Sequence, residues 1–200
     1  MKIELHRKNI HTGNLILVNA DYPYNEQVNE TDLVNVDKSA CDVLLERRAV
    51  TLLSKLMEEI NGWGQISAVS GWRSMQEQEN IYAQSLKENG SEFTQKYVAL
   101  PGHSEHQTGL AIDLALTSDN IDFIRPDFPY TGICQTFREL SSQYGFIERY
   151  PQKKESITGI AHEPWHFRYI GVPHAEIMKK NDLCMEEYIP FIKQFAYGEQ

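Results

Sequence analysis

The chain reads as a single α+β domain, and three observations lead there. Its two hundred residues suffice to enclose one sizeable core. Segments of helical periodicity are interleaved with short apolar runs that alternate with period two. Between them stand turns rich in Gly, Pro, Asn and Asp, and no repeat, low-complexity tract or linker divides the chain.

Composition narrows the classes of function. With 41% hydrophobic and 24% charged residues, the sequence can form a core, which excludes global disorder. A formal net charge of -9 argues against nucleic acid or an anionic membrane surface as partner. Cys41, Cys134 and Cys184 are far apart and lack C-x-x-C spacing, so neither a disulfide scaffold nor a thiolate zinc knuckle is expected, and a reducing compartment fits. No apolar stretch approaches the ~18 residues of a membrane helix, and the first residues carry no signal-peptide core. The expectation is a cytoplasmic protein without a membrane anchor.

Along the chain, residues 1–37 read as strands and turns, with "NLILVN" as a compact apolar strand and "DYPYNE" as a turn. Residues 41–61 predict a helix, because Leu45, Ala49, Leu52, Leu56 and Ile60 recur at helical spacing and Asn61-Gly62 supplies a stop. "QISAVSG" predicts a strand ending at Gly71. Ser74 and Glu77 have the spacing of a capping box opening a second helix. Residues 88–102 read as a polar loop. A strand is expected at 109–116, a loop to about 133, a helix at 134–144 ended by Gly145, and the strand "FIERY" directly after it. "EPWHFRYIG" predicts a further strand starting after Pro164. The tail 173–200 reads as helical, broken near Pro190.

Within "PGHSEHQTGLAIDLAL", strand alternation sends Leu110, Ile112 and Leu114 to one face and Ala111, Asp113 and Ala115 to the other. A carboxylate between two alanines in a buried strand is costly unless a cation or several donors meet it. A metal ion shared with His106, one loop upstream, is the economical partner. In "AHEPWHFRYIG", His166 and Arg168 share the face opposite Trp165, Phe167 and Tyr169. Two imidazoles and one carboxylate make a catalytic zinc set that leaves the fourth position to water. Glu163, stiffened by Pro164, becomes a candidate acid/base group. In "SGWRSMQEQ", Arg73 occupies a tight strand-to-helix turn from which a guanidinium can face a cleft, although a surface ion pair would suit it as well.

The pattern Ser104-x-His106-x-x-Gly109-x-Ala111-x-Asp113, followed by Glu163-x-x-His166, resembles the zinc signature of the D-Ala-D-Ala metallopeptidases. "SGWRS" and "EPWHFRYIG" are similar to the VanY branch, and the missing export signal resembles the soluble VanXY enzymes. The resemblance runs from about residue 65 to 171. It implies a hedgehog/D-Ala-D-Ala metallopeptidase-like fold, with a mainly antiparallel sheet flanked by helices and one Zn2+ in a cleft on the sheet. It further implies His106, Asp113 and His166 as zinc ligands, Glu163 as catalytic base and Arg73 facing the oxyanion. Gln78 and Ser104 would contact the substrate, and His103 and His162 gain no role. The implied function is hydrolysis before a C-terminal D-alanine, on D-Ala-D-Ala or a peptidoglycan pentapeptide, in vancomycin resistance. Rival expectations are an L,D-carboxypeptidase or phage-type endopeptidase, a non-catalytic zinc-bearing binding module, or a structural zinc closed by Cys134 or His103.

Overall fold

A computed structural model describes residues 6, 8, 10–37 and 42–196, so Cys41 lies outside the described residues. In chain order they form strands β1 (Leu33–Asn35) and β2 (Leu44–Glu46), helix α1 (Arg47–Glu59), strand β3 (Ile66–Ser70) and helix α2 (Met75–Tyr97). Strand β4 (Ala111–Leu116), helix α3 (Gly132–Leu140), strand β5 (Phe146–Tyr150) and the single turn α4 (Glu155–Thr158) follow. Strand β6 (Glu163–Tyr169) and helices α5 (His174–Lys180) and α6 (Met185–Lys193) complete them. β1 pairs with β2, and the other strands form an antiparallel sheet in the order β3-β4-β6-β5. This is the expected α+β domain.

Alternation along β4 works as the sequence indicates. Leu110, Ile112 and Leu114 enter the main core with Trp165, Phe167 and Tyr169 of β6, beneath Ala49, Leu53, Leu56 and Met57 of α1. The opposite face carries the polar residues. A second apolar cluster joins Leu15 and Leu17 to Ile147, Ile170 and the buried faces of α5 and α6.

Several expectations need correction, among them the start of β6, which lies at Glu163 and takes in Pro164 rather than following it. The first helix begins at Arg47 rather than near 41, because Leu44–Glu46 pair with β1 and the Glu46 carboxylate accepts from the N–H groups of Arg48 and Ala49, capping α1. Leu45 is fully buried, but from a strand; Leu53 and Met57 join Ala49 and Leu56 in the core, with Leu52 and Ile60 partly buried against it. "NLILVN" forms a 3-10 turn at Gly13–Leu15 instead of a strand. The Asn14 and Ile16 carbonyls there accept from the Arg168 guanidinium, so a side chain takes the place of a neighbouring strand.

The capping box at Ser74 and Glu77 is present, yet α2 runs through the expected loop to Tyr97. Its two arms meet at Gly90, whose φ of 80° lies where glycine is favoured. The second arm is fastened by a buried hydroxyl pair between Ser85 and Thr94. The tail breaks between α5 and α6, not at Pro190, which sits on the exposed face of α6. There a helix tolerates a missing donor by tilting its carbonyl to water.

Gly71, at the end of β3, is packed against the chain at β2. A Cβ there would stand 2.2 Å from the Leu44 carbonyl oxygen, a backbone atom that cannot swing away. Gly71→Ala should therefore cost about 1–3 kcal/mol, the usual range for overpacking. It should appear as a lower urea midpoint with an unchanged slope.

Candidate metal centre and active site

The sheet brings the site together in one row. Ser70 of β3 lies opposite Asp113 of β4, and Asp113 lies opposite His166 of β6. Directly opposed residues on one sheet face have side chains in contact range. A register shift between Ala68 and Ser70 re-aims the end of β3 toward this row, a common use of irregular pairing. His106 arrives from the 3-10 turn Glu105–Thr108, which closes at Gly109 with φ 70°. A Cβ on Gly109 would meet only the mobile end of Leu33 at 2.9 Å, so it is the left-handed conformation that calls for glycine.

His106, Asp113 and His166 are buried, and their ligand atoms lie within 4.8 Å of one another. His106 Nδ1 lies 2.6 Å from the Gly71 carbonyl. A carbonyl only accepts, so Nδ1 carries the proton and Nε2 presents a lone pair. That lone pair stands 3.1 Å from Asp113 Oδ2, another acceptor. Two acceptors this close in a buried site call for a cation between them. On the other side, His166 Nδ1 lies 2.9 Å from Asp113 Oδ1, while its Nε2 faces Glu105 Oε2 at 3.5 Å. One nitrogen of each ring is thus held from outside and the other turned inward, as metal-binding imidazoles are held. The donor set of two imidazoles and a carboxylate fits zinc, and the cluster forms one Zn2+ site per chain.

The electrostatics match this geometry. Burial, with help from Arg73, lowers His106 to about 4, so its ring is neutral and ligand-ready at pH 7. Burial opposes the charge on Asp113, but the protonated imidazole of His166 bonded to its Oδ1 helps hold it well below the usual carboxylate range. His166 is raised to about 9, because its hydrogen bonds to Asp113 and Glu105 outweigh burial. Glu163 is pushed up to about 8 by burial, the neighbouring Asp113 assisting against the attraction of His166.

Each residue singled out from sequence can be placed. Glu163 borders the same cleft, with Oε2 3.8 Å from His166 Nδ1. Arg73 is not a surface residue. Its Nη2 lies 3.1 Å from Asp113 Oδ2, its Nε donates to Ser70 Oγ, and the Phe123 ring covers it at 5.6 Å. Ser104 is buried at the cleft wall. Gln78 stands behind that wall: its Oε1 faces Arg73 Nη1 at 3.4 Å and its Nε2 donates to the Ala99 carbonyl. His103 Nδ1 bonds the Asn19 carbonyl, and Cys134 is a free thiol in the main core. The two fourth-ligand candidates are therefore committed elsewhere. His162 stacks on Tyr130, facing away from the metal row.

Sequence reasoning missed the charges beneath His166. Glu105 is fully buried and paired with Arg149 and Arg168, at 2.7 and 2.9 Å. Arg149 also grips Glu186 of α6 through two bonds of 2.9 and 2.7 Å. Only a carboxylate placed directly before a ligand histidine could have signalled Glu105. Nothing local marks Arg149 or Glu186, which meet it from distant elements.

Residues 42–172 match the family described as VanY, D-alanyl-D-alanine carboxypeptidase. The bifunctional D-Ala-D-Ala dipeptidase and D-Ala-D-Ala carboxypeptidase VanXYC of Enterococcus gallinarum is 39% identical over 181 residues, covering 90% of this chain and 95% of that protein. The crystal structure of the vancomycin resistance D,D-dipeptidase VanXYg, in complex with a D-Ala-D-Ala phosphinate analog, superposes with TM-score 0.90 at 53% identity, over 96% of this chain and 76% of that one. The LdcB LD-carboxypeptidase superposes with TM-score 0.73 at 33% identity, over 88% of this chain and 85% of that one.

Zinc binding should release protons. With pKa values of about 9 for His166 and about 8 for Glu163, both groups are mostly protonated at pH 7 in the metal-free site. A dication displaces the proton on its ligand nitrogen and repels the one on the adjacent carboxyl. Titration calorimetry at pH 7 in buffers of different ionisation enthalpy should report roughly one to two protons released per zinc. Because both groups deprotonate as pH rises, their share of the release should vanish by about pH 10, leaving at most the roughly one proton that coordinated water gives up. A release independent of pH would contradict these charge states.

Proposed function

This chain belongs to the VanY family of D-alanyl-D-alanine carboxypeptidases, and from that premise we propose that it hydrolyses the peptide bond preceding a C-terminal D-alanine. As substrates we assign the D-Ala-D-Ala dipeptide and peptidoglycan precursors ending in it, in vancomycin resistance. The chain is a zinc metallopeptidase. The observation that carries the substrate reading is the convergence of His106, Asp113 and His166 with Glu163 at the rim of one cleft. It is supported by 53% identity to an enzyme solved with a D-Ala-D-Ala analog, against 33% to an LD-carboxypeptidase.

Bound zinc supplies a Lewis acid and brings the pKa of coordinated water down to about 7. The chain's own groups do the rest. Glu163 accepts the proton of the attacking water and passes it to the leaving D-alanine amine. Its buried surroundings suit that task, since proton exchange near neutrality needs a carboxyl raised toward neutral pH. Arg73 donates to the developing oxyanion from a nearly dry site, where such a donor acts strongly. Gln78 serves from behind, fixing the guanidinium between Ser70, Asp113 and itself. Ser104, beside His106 at the wall, donates to the terminal carboxylate. Phe123, Ile124, Tyr97 and Val98 line the cleft and limit access of water. The cytoplasm is the proposed location, a reading that the free thiols of Cys134 and Cys184 support, and cell fractionation tests it.

Glu163→Ala should leave zinc stoichiometry intact and lower kcat by about 100- to 10,000-fold, the usual share of a general acid–base. Assays of D-alanine release distinguish the substrate classes. The dipeptide and a pentapeptide stem should be cleaved and a tetrapeptide stem spared; release from the tetrapeptide alone would make the chain an L,D-carboxypeptidase.

A further inference from the structure

A cluster on the core side of the sheet has no part in the chemistry above. We propose that Arg138 of α3, acting with Glu148, Tyr130 and His162, is a positioning clamp for Glu163; this rests on reading Glu163 as the proton-transfer group.

The ladder is irregular where Glu163 sits. β5 and β6 pair regularly from Phe146↔Tyr169 to Glu148↔Phe167, then the register shifts before Tyr150↔Glu163. Pro164 has no N–H to contribute. The start of β6 therefore needs another anchor, and side chains supply it. Arg138 Nη2 donates to the Pro164 carbonyl at 3.0 Å and to the Phe128 carbonyl at 3.2 Å. Nη1 reaches the Pro129 carbonyl at 3.3 Å, and Nε bonds Glu148 Oε2 at 2.5 Å. The guanidinium stands 3.8 Å from the centre of the Tyr130 ring. The Tyr130 hydroxyl donates to Glu148 Oε1 at 2.5 Å and lies 2.7 Å from His162 Nε2.

Both chain neighbours of Glu163 are thus gripped from the far side of the strand, His162 through Tyr130 and Pro164 through Arg138. Arg138 and Glu148 are each nearly nine-tenths buried, so this ion pair holds its geometry where an exposed one would not. The same guanidinium fixes the carbonyls of 128 and 129, at the end of the loop that carries Phe123 and Ile124 to the cleft. Base and cleft wall share one anchor. Since a 1 Å misplacement of a reacting group can cost about 100-fold in rate, the clamp acts on turnover more than on binding.

The test compares zinc-loaded wild type with Arg138→Lys, Tyr130→Phe, His162→Ala and His162→Gln for kcat, KM, zinc content and thermal stability. Arg138→Lys keeps a charge for Glu148 but loses the carbonyl bonds, and should lower kcat about 10- to 100-fold with KM changed less than about 2-fold and zinc retained. Tyr130→Phe and His162→Ala should lower kcat about 3- to 10-fold on the same pattern, with His162→Gln recovering part of the loss. Wild-type kcat in Arg138→Lys and Tyr130→Phe, or activity lost only in proportion to zinc, would overturn the proposal. Should Arg138→Lys not fold, Tyr130→Phe decides by the same criteria. Should wild type cleave no D-alanyl peptide, the catalytic reading fails separately. The clamp is then judged by whether the Glu163 carboxylate shifts between crystal structures of wild type and Tyr130→Phe, and an unmoved carboxylate overturns it.

Discussion

An ionised aspartate in the middle of a buried strand is the constraint from which the rest of the molecule follows. Asp113 is 5% exposed on β4, one of the two inner strands of the sheet, and isolating such a charge from water costs several kcal/mol. The surroundings answer that cost in layers. Ala111 and Ala115 leave room above the strand, Ser70 and His166 flank the carboxylate in register, and Arg73 reaches it from the turn after β3. His106 completes the ring with a lone pair aimed at the same oxygen. Protein donors alone leave two acceptors face to face, so the arrangement is complete only with a cation.

The outer charges show how rigidity is achieved. Glu105, Arg149, Arg168 and Glu186 form a charge-balanced group that ties His166 to α6 and to the N-terminal segment. Apolar residues of similar volume would commonly stabilise a fold as well or better. What ions add here is direction. Glu105 can face His166 Nε2 because its other oxygen is neutralised by two arginines. Secondary elements far from the cleft thereby contribute to the orientation of a metal ligand.

Much of this was legible in the sequence, for identifiable reasons. Alternation in 110–115 placed Asp113 correctly because a strand has one period and β4 keeps it. The Ser74–Glu77 box and the stop at Gly145 were readable because caps are local. Errors arose where tertiary partners override local pattern. Leu45 fits helical spacing but pairs in a strand, and "NLILVN" looks like a strand but gives its carbonyls to Arg168. Gly90 bends a helix where polarity suggested a loop. The row of Ser70, Asp113 and His166 joins three strands that are distant along the chain. Its spacing matches a family pattern, whereas no local rule of periodicity or capping leads to it. Arg168 is legible on the face of His166, but its pairing with Glu105 and the arrival of Arg149 and Glu186 are not, because no short-range pattern connects them.

The central claim is that three protein side chains hold the ion and leave one position to solvent. X-ray absorption spectroscopy on zinc-reconstituted protein, with a crystal structure at the zinc edge, addresses it directly. The account predicts two nitrogen donors, His106 Nε2 and His166 Nδ1, and an Asp113 oxygen at about 2.0–2.2 Å, with the remaining position filled by water. An ion bound elsewhere, or one closed by a fourth side chain, would contradict it.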